Sequence, residues 1–189
     1  VILDKGANIK EKNRAGQSVL HYSVIVWKAS IVENVLSSQL NIKSNFISGL
    51  RVSDSKVIKI IEDVFVKFNK EIVNELKNSS SKARGINSKE NNIINVKTLS
   101  KNLGFVGTPN KINTEVLKKV IKVNEIPVIA PLGLNSKNQV HNVNADEIAT
   151  AIASALNARR LVIISDVAGV LDKDNNLISE INSNKVKEM

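Results

Sequence analysis

Apolar residues in the first half of the chain recur at the three- and four-residue spacing of amphipathic helices. Residues 30–78 are therefore predicted to be helical, with an apolar stripe along 57–68 that faces a core. Ser53 or Asp54 is well placed to cap the helix that carries this stripe, because a short polar side chain accepts hydrogen bonds from the first free backbone N–H groups. A polar loop at 78–81 ends this helical part.

From residue 90 the pattern changes to short apolar runs separated by turn residues, which is typical of strands. One run, 126–132, is apolar throughout, as expected of a strand that is buried on both faces. A strand, a helix and a second strand in succession indicate a βαβ unit with a parallel sheet, so the predicted fold class is α/β. The predicted elements are strands at 92–96, 103–107, 126–132 and 160–166, a helix that opens at 113–115 and a helix at 145–158.

The composition fits a folded domain and excludes several kinds of site. The chain has 189 residues, of which 42% are hydrophobic and none is cysteine, so disulfides and cysteine chemistry are excluded. No apolar run approaches the roughly 20 residues of a membrane span, and the first residues lack the layout of a signal peptide. These features predict a cytoplasmic protein that has no membrane partner.

The formal net charge of +9 raises the question of nucleic-acid binding. Lysine supplies 22 of the 27 basic residues, and the lysines are spread along the whole chain. Arginine, which reads bases and phosphates with two hydrogen bonds, occurs five times. Asparagine and isoleucine, which like lysine have AT-rich codons, occur 25 and 23 times. The charge is therefore attributed to AT-rich codon usage and not to a binding partner, and no nucleic-acid partner is predicted.

A polar cluster precedes the predicted helix at 145–158. Asn144 can cap this helix, and Glu147 stands at the third helical position, which completes a capping-box-like pair. The free N–H groups and the positive end of the helix dipole also favour an anion such as a carboxylate or a phosphate. Both interpretations, a simple cap and a ligand site, stay open on spacing alone.

Two further features are candidates for ligand contact. Residues 165–172 carry Ser-Asp and then a glycine-containing turn directly after an apolar run, which is where parallel sheets collect ligands. Such junctions also carry Asp and Gly for turn geometry alone. Arg51 has a guanidinium fork that matches a carboxylate, and an ordinary surface arginine is the alternative interpretation.

Five segments, taken in order, resemble motifs of the N-acetyl-L-glutamate kinases, a branch of the amino acid kinase family. They cover roughly five-sixths of the chain, from residue 30 to its end. The segment F-I-S-G-L-R-V-S-D points to this branch rather than to the aspartate, glutamate 5- or uridylate kinases. The matches are to F-x-x-G-L-R-V-T-D at 46–54, N-K-E-I-V at 69–73, L-G-x-V-G at 103–107, N-x-N-A-D at 142–146 and S/T-D-V-x-G-V/I-L at 165–171.

The resemblance implies an αβα sandwich with a mainly parallel sheet, incomplete at both ends in this chain. It implies transfer of the γ-phosphoryl group of ATP, with Mg²⁺ bound to the ATP, to the γ-carboxylate of N-acetyl-L-glutamate in arginine biosynthesis. Arg51 would pair with a substrate carboxylate, Asn142 would hydrogen-bond the substrate, and Asp146 would organise the catalytic lysines. A homo-oligomer is implied as well. The implied ATP site is lined by Ser165, Asp166, Val167, Ala168, Gly169 and Val170.

Several parts of the family's catalytic apparatus have no counterpart in this sequence. The K-x-G-G strand and the G-G-M-x-P-K segment, each with a catalytic lysine, are not found. In place of the glycine nest H-G-G-G-P the chain reads V-I-V-W-K-A-S at 24–30, and side chains there obstruct the approach of phosphate. The loop G-x-S-G-K-D-G survives as G-I-N-S-K-E-N at 85–91. These departures predict little or no turnover, and a non-catalytic remnant that binds nucleotide or a subunit is the alternative.

The first 22 residues resemble one ankyrin repeat instead. L-D-K-G-A-N-I at 3–9 and A-G-Q-S-V-L-H at 15–21 follow the pattern of that repeat, with Val19 in place of its proline. A single repeat cannot bury its own face, so this segment is not a stable binding module by itself. The predicted domains are a partial ankyrin-like segment at 1–23 and a partial amino acid kinase domain at 24–189. An ankyrin-type interaction protein is the third function that the sequence leaves open.

Overall fold

The structure is a computed structural model that describes residues 29–87, 89, 92–163, 169–182 and 184. None of the described helices is long and apolar enough to cross a membrane. The helices are α1 (Ala29–Asn34), which continues into a π-helical turn (Val35–Gln39), α2 (Ser55–Asn78), α3 (Thr114–Lys122) and α4 (Ala145–Ala155), with a 3₁₀ turn at Lys101–Leu103. The strands are β1 (Phe46–Ile47), β2 (Leu50–Arg51), β3 (Ala83–Ile86), β4 (Ile94–Thr98), β5 (Val106–Ile112), β6 (Ile126–Ile129), β7 (Leu132–Leu134) and β8 (Val140–Val143).

Strand β6 lies between two apolar clusters, one on each of its faces. Ile126 and Val128 join a cluster with residues of α1 and α2, whereas Ile129 joins a cluster with residues of α3 and α4. Successive side chains of a strand point to opposite faces, which explains why this segment is apolar throughout. The helices therefore cover both faces, and the predicted αβα arrangement of an α/β fold is confirmed.

The strands form a parallel pair and a small closed barrel. Strand β3 pairs with β6 in parallel, so that Ala83 lies opposite Ile126. The barrel has the order β4, β5, β8, β7, with antiparallel pairs β4–β5 and β7–β8 and parallel pairs β5–β8 and β4–β7. Its interior is tight, because a Cβ atom added at Gly133 would overlap Val96 and lie 2.9 Å from the backbone oxygen of Ile94.

Helix α2 is attached to the strands through a buried asparagine. The helix begins at Asp54, whose Oδ1 accepts hydrogen bonds from two backbone N–H groups of the first turn, both at 2.8 Å. Of the two predicted caps, Asp54 is therefore the one that is used. Fifteen residues farther along, Asn69 is 4% exposed, and its Nδ2 donates to the backbone oxygen of Val128 at 2.8 Å. Gly85 of β3 faces this amide, since an added Cβ would overlap its Oδ1.

The helical prediction for 30–78 is wrong for the stretch between the two helices. Residues 46–51 form the β1–β2 hairpin, in which Phe46 pairs with Arg51. Ser48 and Gly49 have φ angles of 50° and 78°, and positive φ at both central residues is the signature of the type I′ turn that fits tight hairpins. The turn therefore overrides the helical spacing of the neighbouring apolar residues.

The strand predicted at 160–166 is wrong for the residues that the structure describes. Residues 160–163 have no strand structure, and Val162 and Ile163 are 64% and 50% exposed. An apolar run becomes a strand only where a neighbouring strand accepts its backbone hydrogen bonds, and none of the described strands does so here. Among the described residues the predicted βαβ unit is not formed, since the parallel partner of β6 is β3. Residues 164–166 lie outside the described part.

The other predicted elements are present with shifted limits. The strand at 92–96 is β4, and the helix at 113–115 is α3, whose cap Asn113 accepts from the backbone N–H of Glu115 at 3.3 Å. The strand at 103–107 starts only at Val106, because Leu103 belongs to the 3₁₀ turn.

Candidate functional site

Backbone hydrogen bonds join three of the motif segments side by side. The backbone N–H of Ser53 donates to Leu103 at 3.0 Å, and the backbone oxygen of Ser53 accepts from Phe105 at 2.6 Å. The backbone oxygen of Phe105 in turn accepts from Asn142 at 2.9 Å. The segments 46–54, 103–107 and 142–146 therefore meet, and roughly 10 Å, two strand spacings, separates the first from the third.

The β1–β2 hairpin carries Arg51 at its base. Arg51 is only 7% exposed, so the interpretation as an ordinary surface arginine is wrong. Its guanidinium carbon lies 4.7 Å from the centre of the Phe46 ring, which is a favourable distance for a cation over an aromatic face. Because Phe46 is the cross-strand partner of Arg51, the hairpin register itself creates this contact.

Two polar side chains bind the same nitrogen of Arg51. Nη1 donates to Oε2 of Glu33, the two atoms being 2.6 Å apart, and it also donates to Oγ of Ser44. A hydrogen bond with Ser44 and, second, the bond from Arg51 lower the pKa of Glu33 below its usual value. The interaction therefore stabilises the fold at pH values above the pKa that Glu33 has in the unfolded chain. This stabilisation is lost as the pH falls through the lowered pKa that Glu33 has in the folded chain.

Arg51 also lines a cleft between the hairpin and the start of α2. The cleft has a volume of about 240 Å³. Leu36 and Val57 contribute apolar walls, and Lys43 adds a second cation. Asp54 is there as well, but its Oδ1 is used by the backbone of α2. The lining therefore has two cations against one carboxylate, with apolar walls, and fits a small carboxylate better than a cation.

The segment 142–146 places its polar residues at the start of α4. Asn144 accepts through Oδ1 from the backbone N–H groups of Asp146 and Glu147, at 2.9 and 3.2 Å, which confirms the cap. The predicted capping-box pair is wrong in one respect, because the Glu147 carboxylate accepts from Oγ1 of Thr108 at 3.2 Å. Asp146 is exposed in the first turn of the helix.

A buried histidine holds the strand that carries Asn142. His141 is 2% exposed, and its Nδ1 lies 3.0 Å from the backbone oxygen of Gln139. A carbonyl can only accept, so Nδ1 carries a hydrogen, and the other ring nitrogen, Nε2, lies within hydrogen-bond distance of Oγ1 of Thr98, at 2.9 Å. The ring also packs edge-on against Phe105, with centres 5.6 Å apart. Since strand side chains alternate, Asn142 points away from this buried side.

The implied ATP-site segment is described only in part. Gly169 and Val170 lie on an exposed turn, where the backbone oxygen of Val170 accepts from Ile178 at 2.8 Å. Ser165, Asp166, Val167 and Ala168 lie outside the described residues, so their predicted role stays a prediction.

Glu33, Ser44 and Lys43 take part in this site although the sequence did not indicate them. Glu33 is 18 residues from Arg51 and lies on a different element, so no local pattern connects the two. The Phe46 contact did have a signal, because a two-residue turn at Ser-Gly fixes the cross-strand pairs.

Comparison with known proteins decides the family. The sequence pattern described as "Amino acid kinase family" matches residues 7–189. The chain belongs to the amino acid kinase family. Among curated members, the acetylglutamate kinase of Pelagibacter ubique (strain HTCC1062) is 58% identical over 151 residues, which cover 80% of this chain and 52% of that protein. The acetylglutamate kinase of Campylobacter fetus (strain 82-40) is 38% identical over 188 residues, covering 95% and 67% respectively.

Solved structures have the same fold as this amino acid kinase family chain. The crystal structure of smu.665 from Streptococcus mutans aligns with a TM-score of 0.79 and 27% identity, over 87% of this chain and 68% of that one. The N-acetylglutamate synthase of Neisseria gonorrhoeae, in complex with coenzyme A and N-acetyl-glutamate, aligns with a TM-score of 0.73 and 18% identity. That alignment covers 87% of this chain and 39% of the synthase, and at this identity it shows the fold alone.

The family match also bears on the two ends of the chain. It begins at residue 7, inside the segment for which an ankyrin repeat was predicted, so that prediction is not borne out. The domain boundary predicted at residue 23 lies outside the described residues and stays a prediction. The chain spans about half the length of its Pelagibacter ubique relative.

Proposed function

We propose that this amino acid kinase family chain is part of an acetylglutamate kinase, which phosphorylates the γ-carboxylate of N-acetyl-L-glutamate with ATP. The observation that carries the proposal is the junction of the segments 46–54, 103–107 and 142–146 beside a cleft lined by Arg51. A substrate that spans this junction can contact a buried cation at one end and the start of α4 at the other. The names of the two curated relatives support the same reaction.

Each candidate residue has a role that fits its surroundings. Arg51, which is stacked on Phe46 in a cleft with apolar walls, binds a carboxylate of the substrate. Asn142, on the outward side of β8, hydrogen-bonds the substrate, and Asp146 organises the catalytic lysines of the family. Phosphoryl transfer has no covalent protein intermediate, so positioning and neutralisation of charge on the phosphoryl oxygens supply the rate enhancement.

ATP, Mg²⁺ and the remaining partners enter as further parts of the proposal. Ser165, Asp166, Val167, Ala168, Gly169 and Val170 form the proposed ATP segment, and Mg²⁺ arrives bound to the triphosphate. Within the part of the chain that the structure describes, no group of three or more His, Asp or Glu side chains is arranged to hold a metal ion. The protein is proposed to act as a homo-oligomer in the cytoplasm.

Replacing Arg51 with alanine is expected to lower the affinity for N-acetyl-L-glutamate by about a hundredfold. The change removes a charge-assisted hydrogen bond that is shielded from water, and such bonds contribute about 1.5–3 kcal/mol. Isothermal titration calorimetry measures the affinity, and circular dichroism confirms that the variant is folded. Arg84→Ala is the matched control, because Arg84 is 57% exposed and pairs with Glu125 away from the cleft. Equal losses in both variants would contradict the assignment of Arg51.

A coupled assay with Mg·ATP separates the kinase from the second candidate function. Turnover that depends on N-acetyl-L-glutamate and is lost in Arg51→Ala supports the kinase. Binding without turnover supports a non-catalytic member of the family, which the sequence V-I-V-W-K-A-S in place of the glycine nest favours.

A further inference from the structure

The contact between Glu33 and Arg51 puts an internal carboxylate on the group that is proposed to bind the substrate carboxylate. Oε2 of Glu33 lies 2.6 Å from Nη1 of Arg51, and Oγ of Ser44 binds the same nitrogen. A terminal guanidinium nitrogen carries two hydrogens, so both hydrogens of Nη1 are used within the protein. A ligand carboxylate that binds this nitrogen must therefore displace one of the two.

We infer that Glu33 competes with the substrate carboxylate for Arg51 and thereby sets the affinity of the cleft. The inference rests on the proposed function for the identity of the substrate. The competition itself needs only a carboxylate that enters the cleft.

Burial decides which of the partners moves. Arg51 is fixed, because its side chain is only 6% exposed and its guanidinium is stacked on Phe46. The Glu33 side chain is 39% exposed, so its charge is rehydrated when it turns away from Arg51. Two carboxylates on one guanidinium also repel each other across a few ångströms. The arriving ligand therefore replaces Glu33, and the free energy of the lost ion pair is subtracted from its binding.

The test compares carboxylate binding by the native chain and by variants at position 33. Glu33→Gln removes the charge and keeps the shape, whereas Glu33→Asp keeps the charge but shortens the reach. If Glu33→Gln folds poorly, the comparison is made with Glu33→Asp. Glu115→Gln is the matched control, because Glu115 is an exposed residue of α3 that pairs with Lys118. The ligands are N-acetyl-L-glutamate and glutarate, a dicarboxylate without the acetamido group, titrated by calorimetry at pH 7 and low salt.

Glu33→Gln is expected to bind both ligands about tenfold more tightly than the native chain, since a charge that opposes the ligand is removed. Glu33→Asp is expected to gain a smaller factor, and Glu115→Gln is expected to match the native chain. The gain depends on Arg51, so Glu33→Gln combined with Arg51→Ala is expected to bind no better than Arg51→Ala alone.

Three results would contradict the inference that Glu33 competes for Arg51. One is binding by folded Glu33 variants that is equal to or weaker than native, which would make Glu33 a partner that positions Arg51. Another is a gain that persists without Arg51, and the third is failure of every variant to bind either dicarboxylate. A gain for glutarate with no binding of N-acetyl-L-glutamate supports the competition and contradicts the proposed substrate. Native binding of N-acetyl-L-glutamate with no gain in the variants supports the proposed substrate and contradicts the competition.

Discussion

Replacement of Gly104 with alanine is expected to lower the free energy of unfolding by about 3–5 kcal/mol. Gly104 has φ 68° and ψ −125°, a backbone region that is nearly closed to other residues and costs about 1–3 kcal/mol to enter. An added Cβ would also overlap the backbone oxygen of Ser53 and lie 3.0 Å from its carbonyl carbon. Ser53 cannot retreat without weakening its hydrogen bonds to Leu103 and Phe105, each of which contributes about 1 kcal/mol.

Thermal or urea unfolding followed by circular dichroism measures this loss. For a chain of this size, about 2–4 °C in Tm corresponds to 1 kcal/mol, so a decrease of roughly 10 °C is expected. Gly49→Ala provides the control, because Gly49 also has a positive φ, 78°, but an added Cβ would have no atom within 4 Å. It is expected to cost only the backbone strain, about 1–2 kcal/mol. Equal costs at the two positions would show that the junction with Ser53 adapts freely.

The parts of the fold that the sequence predicts are those set by neighbouring residues. The caps Asp54, Asn113 and Asn144 act within one helical turn, and all three mark the starts of helices. The apolar run around β6 indicates burial on both faces, and the two clusters confirm it. The caps are predictable because the backbone groups that they bind lie within four residues, and the burial of β6 is predictable because a run of apolar residue types alone indicates it.

The parts that were predicted wrongly depend on distant partners or on a turn. Residues 160–163 have the hydrophobicity of a strand, but strand formation depends on a neighbour that the local sequence does not specify. The closure of β4, β5, β8 and β7 into a barrel is likewise non-local. The β1–β2 hairpin is different, because Ser48-Gly49 is a local turn signal that outweighs the apolar spacing around it.

In the candidate site, too, some features follow from the local sequence and others depend on distant residues. The motif around Arg51 identifies the residue, and the structure adds its burial and its partner Glu33, which no spacing rule connects to it.

Asn69 belongs to another motif segment and lies four residues from both Phe65 and Val73, which are buried on α2. That spacing indicates a polar side chain on the apolar face of the helix, and a buried amide requires a hydrogen-bond partner.

Asn69→Asp is the second large effect, and we expect it to destabilise the fold by about 3 kcal/mol at pH 7. The carboxylate cannot donate to the backbone oxygen of Val128, and its charge would be placed beside that oxygen at a position only 4% exposed. Burial raises the pKa of the new carboxyl in the folded state. The unfolded chain therefore loses its proton first, and the deficit grows as the pH rises above about 3.9.

The pH dependence distinguishes this mechanism from a simple loss of packing. At pH 4 the protonated carboxyl can donate to Val128 as the amide does, so the deficit relative to the native chain is expected to shrink to about 1 kcal/mol. Asn74→Asp is the control on the same helix, because Asn74 is exposed, and a change within about 0.5 kcal/mol at both pH values is expected. Urea unfolding of the three proteins at each pH makes the comparison. A deficit in Asn69→Asp that is the same at pH 4 and pH 7 would mean that the carboxyl is hydrated, and Asn69 would then not be the buried tie between α2 and β6.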